Sequence, residues 1–323
     1  MNLKSPIRRI FAVIIVFAAF LELKAQDPQF TQFYANPLYL NPAFAGSQEC
    51  PRLNLNYRNQ WPAIEGTFLT YAASYDQTVD VLSGGLGFSA FHDRAGEGTI
   101  QTTNISAMYS YMLPVSRNFS IRAGFQATYF QKSIDWSNLT FGDMIDPRYG
   151  FIYPTNETPG SEAVNGADFS AGLLGYTKNL YFGAAVHHLT EPNESFFESD
   201  EAVLPRKYTA HMGANIPFKK RYPEDGSISP NIMYQRQGSA EQFNFGMYVR
   251  KGPIVGGLWY RLGDSFIALV GVQTDRFRFG YSYDLTTSRL TNATAGSHEI
   301  SIGIQFECPP KRKKFRPLAC PQF

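Results

Sequence analysis

Five histidines are the first candidates for proton transfer or metal binding: His92, His187, His188, His211 and His298. His187 and His188 are adjacent, so in a strand their rings point to opposite faces and do not share a metal. Ser89 and His92 are three apart and also face opposite sides, and no third residue completes a hydrolase triad. His-Glu-x-x-His, Cys-x-x-Cys and Gly-rich phosphate loops are all absent from the sequence. Asp143, Asp146, Glu157, Glu162 and Asp168 cluster in sequence, and carboxylates suit Ca²⁺. Their spacing fits no EF-hand, so they read as solvated loop carboxylates. Of Cys50, Cys308 and Cys320, the last two bracket a short basic stretch at a spacing that permits a disulfide; three separate thiols are the alternative. This inventory predicts no enzyme, no cofactor and no metal.

Two other stretches have chemistry suited to recognition. Lys311, Arg312, Lys313, Lys314 and Arg316 concentrate positive charge within six positions; the plain reading is a solvated charge run, the sharper one a contact for an acidic partner or anionic headgroups. Residues 26–46 contain two Asn-Pro steps, Asn36-Pro37 and Asn41-Pro42, which break a regular helix and punctuate an extended, turning path. Asn36 and Asn41 are placed to bond neighbouring backbone while Phe33, Tyr39 and Phe44 pack. Residues 26–50 are therefore expected as an extended segment at the periplasmic mouth of the folded body, with Asn36, Pro37, Tyr39, Asn41 and Pro42 as candidate partner-binding residues.

The elements that would hold these residues read as strands throughout. Of 323 residues, 15% are aromatic and only 17% charged, against about a quarter charged in ordinary soluble proteins. Met1–Arg9 is basic, Ile10–Leu21 is 12 apolar residues in a row and Ala25 precedes Gln26, the pattern of a signal peptide over residues 1–25. No later stretch reaches the ~18 apolar residues of a membrane-spanning helix. Instead Phe277, Phe279, Tyr281 and Tyr283 alternate with Arg278, Gly280, Ser282 and Asp284, and Ile300, Ile302, Ile304 and Phe306 with Glu299, Ser301, Gly303 and Gln305. Segments of about 10 residues with aromatic ends suit tilted strands crossing a bilayer. We place strands at 51–60, 67–76, 84–93, 100–113, 119–134, 166–177, 180–189, 206–217, 228–237, 242–250, 254–262, 265–274, 276–284 and 297–307. The match is imperfect: Phe266–Val272 is apolar on both faces, so not every strand alternates cleanly. The predicted fold is all-β: a transmembrane antiparallel β-barrel of about 14 strands over residues 51–307, preceded by the extended segment and followed by a basic periplasmic tail, 308–323. The net charge of +2 offers no basis for nucleic-acid binding. Once residues 1–25 and the tail are set apart, the barrel itself is acidic.

Residues 26–46, Gln-Asp-Pro-Gln-Phe-Thr-Gln-Phe-Tyr-Ala-Asn-Pro-Leu-Tyr-Leu-Asn-Pro-Ala-Phe-Ala-Gly, resemble the N-terminal signature of the PorP/SprF family of type IX secretion and gliding-associated outer-membrane proteins. Tyr57-Arg58-Asn59-Gln60-Trp61-Pro62, Gly84-Gly85-Leu86-Gly87, Gly280–Asp284 and Gly296–Glu299 are similar to the family's too; the tail after Glu307 is not. The resemblance implies an integral outer-membrane protein without enzymatic activity. It implies contacts with outer-membrane lipid, with periplasmic components of the type IX machinery, and with a large secreted surface protein or adhesin bearing a C-terminal sorting domain. A passive diffusion channel is the alternative, and a secreted β-protein or membrane hydrolase a more distant one.

Overall fold

The computed structural model describes residues 26–48, 50–64, 66–96, 98–197, 202–219, 225–287 and 295–308. The expected signal peptide, the basic residues Lys311–Arg316 and Cys320 lie outside the described residues. Fourteen long strands form one antiparallel sheet: β1 (Arg52–Gln60), β2 (Phe68–Val79), β3 (Gly84–Ala95), β4 (Ile100–Ser116), β5 (Phe119–Ile134), β6 (Ala163–Tyr176), β7 (Leu180–His187), β8 (Lys207–Ala214), β9 (Gly226–Gln237), β10 (Ala240–Lys251), β11 (Ile254–Arg261), β12 (Ser265–Gln273), β13 (Phe277–Thr286) and β14 (Ser297–Gln305). A two-residue strand, Ile216–Pro217, continues β8 against β9. All fourteen sequence-read strands are present, with ends moved by a few residues. The sheet closes where β1 pairs β14, from Arg52↔Gln305 to Gln60↔Ser297. Closure leaves no unpaired edge, which hydrocarbon requires because it offers backbone groups no partner.

β1 begins and β14 ends at the same end of the barrel, the turn end, where the links after β4, β6, β10 and β12 are short. The opposite, loop end carries residues 135–162 and 188–206. The first of these contains a small hairpin, Ile145–Asp146 with Gly150–Phe151. Along each strand one set of side chains faces outward and exposed, as do Phe266, Val270, Phe277 and Phe279, while the alternate set is buried, as are Ser282, Asp284 and Glu299. The exposed apolar set is the lipid face. The two-sided apolar pattern of β12 has a simple cause. Ile267 and Leu269 point inward and pack on residues of the N-terminal segment, which occupies the lumen.

The cysteine pairing differs from both sequence readings: Cys50 bonds Cys308, with Cα atoms 4.3 Å apart. Cys50 lies two residues before β1 and Cys308 three after β14, so closure of the β1–β14 seam brings them together. A disulfide between Cys308 and Cys320 is thereby excluded.

Candidate functional site

The N-terminal segment is a plug threaded through the barrel. Each Asn-Pro step starts a short helical turn with proline at its first position, Pro37–Leu40 and Pro42–Phe44, where the missing N–H costs nothing and φ is preset. The path is thus compact rather than extended. The segment is also not confined to one mouth. Asp27 bonds His188 and Lys207 at the loop end, whereas Gly46 bonds Asp76 near the turn end. Phe33, Tyr34, Leu38, Leu40 and Phe44 form a buried core with Trp259, Tyr181, Met233, Leu174 and Met108 from opposite walls. Phe33 sits 5.3 Å from Trp259, Phe44 5.3 Å from His211 and Tyr39 5.5 Å from Phe91, centroid to centroid.

A polar lock fixes Thr31 and Gln32. The Glu299 carboxylate accepts the Thr31 N–H at 2.5 Å and the Gln32 N–H at 3.1 Å. The Gln32 amide donates to the Glu299 carbonyl at 3.0 Å and accepts from Ser301 Oγ at 2.5 Å. Thr31 Oγ1 donates to Asp284 at 2.9 Å, and Arg58 pairs Asp284 at 3.2 Å and Glu299 at 3.4 Å. Arg58, Asp284 and Glu299 are buried, so each charge depends on the others and on the plug for compensation. The separate motifs Tyr57–Pro62, Gly280–Asp284 and Gly296–Glu299 therefore converge on residues 31 and 32 of a fourth.

Asn41 is the second anchor. Its Oδ1 accepts the Ala43 N–H at 2.9 Å, capping the turn. Its Nδ2 donates to the carbonyls of Leu173 (3.1 Å) and Ala184 (3.3 Å) in the wall. Near the turn end Arg52 pairs Asp76 at 2.5 Å and donates to the Phe44 carbonyl at 3.2 Å, while Arg122 donates to the Ala45 carbonyl at 3.0 Å. Two wall glycines admit the plug: a Cβ at Gly124 would stand 2.5 Å from Ala43 Cα, and one at Gly85 2.5 Å from Gly46 Cα.

At the loop end the plug is latched by charge. Asp27 accepts from Lys207 at 2.7 Å and from His188 Nε2 at 2.9 Å, and His188 Nδ1 lies 2.8 Å from Asp168. Burial opposes charging of both groups. The carboxylates of Asp27 and Asp168 nonetheless raise His188 to about 9. Lys207 and His188 hold Asp27 well below the ordinary carboxylate range. The adjacent histidines do not point to opposite faces, because His188 leaves β7 with φ +57°; the two ring centroids are 6.5 Å apart. The latch residues, together with Gln26, Pro28, Gln29 and Tyr39, line a vestibule of about 610 Å³ at the loop end.

Asn36, Pro37, Asn41 and Pro42 are buried, so these four candidate partner-binding residues offer no open docking face and position the plug; Tyr39 is partly exposed and lines the vestibule. Asn36 contributes its carbonyl, which accepts the Leu40 N–H at 3.4 Å, and Tyr39 donates to the Pro28 carbonyl at 2.5 Å. Asp143 and Asp146 accept hydrogen bonds within their own loop. Among the described residues no His, Cys, Asp or Glu grouping could hold a metal. Sequence reasoning missed the lock and the latch, whose bonded partners lie as far as 269 positions apart, as Gln32 and Ser301 do. The one available signal was inward-facing charge in strands, Arg58, Asp284 and Glu299, each needing a partner.

The family model described as type IX secretion system membrane protein PorP/SprF matches residues 22–304. Among curated proteins there is no match. Of solved structures, the toluene transporter TbuX of Ralstonia pickettii aligns with TM-score 0.46 and 11% identity, covering 84% of this chain and 93% of that one. The translocator domain of the autotransporter NalP of Neisseria meningitidis gives 0.41 and 11% over 80% and 88%. The outer membrane protein Omp33 of Acinetobacter baumannii gives 0.44 and 9% over 81% and 100%.

Proposed function

The chain belongs to the PorP/SprF family of type IX secretion system membrane proteins, and from that membership we propose that it is a non-enzymatic interaction barrel for a large secreted surface protein. It is an outer-membrane β-barrel of the secretion machinery. In the proposed arrangement the turn end faces the periplasm. There the tail residues Lys311, Arg312, Lys313, Lys314 and Arg316 meet acidic periplasmic components of the machinery, and the cargo is an adhesin with a C-terminal sorting domain, such as one used in gliding. Cleavage after Ala25 is part of the same reading, because it frees Gln26 to enter the lumen.

The observation that carries the proposal is the plug. A lumen filled by Phe33, Leu38, Leu40, Asn41 and Phe44, all nearly inaccessible to solvent, supports a scaffold better than a diffusion channel. The test is pull-down of the detergent-solubilised full chain followed by mass spectrometry, beside a version lacking residues 309–323. Wild type should recover machinery components and one large surface protein, and the shortened chain should lose the former. Recovery of neither, with steady ion conductance in planar bilayers, would reverse the choice in favour of a channel.

A further inference from the structure

One arginine on the lumen side of the turn end stands without a partner. Arg52 pairs Asp76 at 2.5 Å and donates to the Phe44 carbonyl at 3.2 Å. Arg122 donates to the Ala45 carbonyl at 3.0 Å and to Ser110 Oγ at 2.9 Å. Arg278, the second residue of β13, has no ion pair and no side-chain hydrogen bond among the described residues. Its strand neighbours Phe277 and Phe279 are exposed on the lipid face, so Arg278 points inward, where it is partly buried. Asp76 is not available to it, because the second Asp76 oxygen accepts the Gly46 N–H at 2.7 Å. A guanidinium keeps its proton at every pH a protein survives. A partly buried one with no carboxylate is therefore a charge awaiting its counterion.

The surroundings are shaped for a small anion. Register places Gln273, Arg278, Gly303 and Asn54 in one inward row across β12, β13, β14 and β1. A Cβ at Gly303 would stand 3.1 Å from Arg278 Nε, so the glycine makes room for the guanidinium on β14. Gln273, Arg278 and Gly303 border a cavity of about 70 Å³ that Tyr34 and Ala35 of the plug close off. That is room for one carboxylate-sized group, with the guanidinium fork matched to its two oxygens and the Gln273 amide beside it. The plug fills the lumen above, so such a group arrives from the turn end. Charge at that end attracts acid: Arg117, Lys178 and Lys251 are exposed on or beside the short links, and none has an ion pair among the described residues. Exposed like charges around a mouth steer an oppositely charged partner toward it.

We propose that Arg278, with Gln273 beside it, is a carboxylate socket that takes one Asp or Glu side chain of an acidic polypeptide segment reaching the barrel from the turn end. The partner's compartment rests on the orientation proposed above; the chemistry of the socket does not, and the socket is distinct from the basic tail.

Fluorescence anisotropy of the full chain in a non-ionic detergent, titrated with the fluorescein-labelled peptide Gly-Ser-Glu-Glu-Asp-Glu-Ser-Gly, tests it. Wild type should bind this peptide saturably and its Gln/Asn counterpart should not bind. Arg278→Gln should weaken binding about tenfold, the worth of one charge-assisted contact. Arg278→Lys keeps the charge but loses the fork, and should restore only part of the affinity. Residues 26–46 should resist limited proteolysis equally in all three chains, which separates loss of the socket from loosening of the plug. Heat-modifiable migration on gels reports folding. If Arg278→Gln misfolds, Arg278→Lys and Gln273→Ala decide, each expected to weaken binding severalfold. Equal affinity of wild type and the folded variants overturns the proposal and leaves the acidic peptide to the basic tail. Binding that depends on Arg278 supports it, whether or not removal of residues 309–323 alters partner recovery.

Discussion

Arg58, Asp284 and Glu299 show how a buried charge can be spent on holding a peptide segment. Glu299 is fully buried and receives two successive backbone N–H groups of the plug. Glu299→Gln keeps the shape but lacks the second acceptor and leaves Arg58 undercompensated. Loss of one member of such a cluster costs about 3–5 kcal/mol. The expected outcome is a barrel that still migrates as folded but unfolds at lower denaturant, with residues 26–46 newly open to protease. Unchanged protection would remove the lock from the account. The latch makes a pH prediction. His188 faces Asp27 from the plug, Asp168 from β6 and Lys207 from β8, with His187 as its chain neighbour. Its pKa is raised from 6.5 to about 9, so its contribution is complete below pH 6.5 and is lost as pH rises through about 9. Asp27 is shifted the other way, so its contribution is present above its ordinary 3.8 and is lost as pH falls below that. Protection factors at residues 27–32, which divide out the intrinsic base-catalysed exchange rate, should be largest from about pH 4 to 6.5, and His188→Gln should remove their alkaline fall. A wild-type profile that stays flat to pH 9 would count against the latch.

At the level of elements, wall and plug are shaped to each other. Gly124 of β5 faces Pro42 and Ala43, and an added Cβ would stand 2.5 Å from backbone atoms on the plug, which has no side chain to rotate away. Gly256 of β11 has open space around its Cβ position. Gly124→Ala should therefore loosen the plug while Gly256→Ala leaves it seated, as read by limited proteolysis of folded protein; equal protection in both would show that the plug can shift without cost. The same contrast explains what the sequence made legible. Strands such as β13 and β14 were readable because alternation of Phe, Tyr and Ile with small or polar residues is a local property, and the bilayer selects their length. The plug's place was not. Asn41 reaches carbonyls more than 130 positions away, and nothing around it reports that distance. The side of His188 depended on one positive φ, and the pairing of Cys50 with Cys308 on recognising that β1 and β14 are neighbours.

Taken as a whole, the molecule is a barrel whose own amino-terminal segment crosses its lumen, stapled at the turn end by Cys50–Cys308 and latched at the loop end by Asp27. This arrangement joins topology to orientation. If the turn end faces the periplasm, Gln29, which lines the outer vestibule, is reachable from outside the cell although it belongs to the N-terminal segment. A segment confined to the periplasmic mouth would be reachable only after the outer membrane is breached. Gln29→Cys in intact cells should thus react with a small, membrane-impermeant methanethiosulfonate reagent. Tyr149→Cys in the loop-end connection, where Tyr149 is 68% exposed, serves as the control for orientation. Reaction at both positions supports the threaded plug and the orientation together. Reaction at 149 alone keeps the orientation and rejects the threading. Reaction at neither until the membrane is permeabilised turns the barrel over, and the basic tail then belongs on the cell surface.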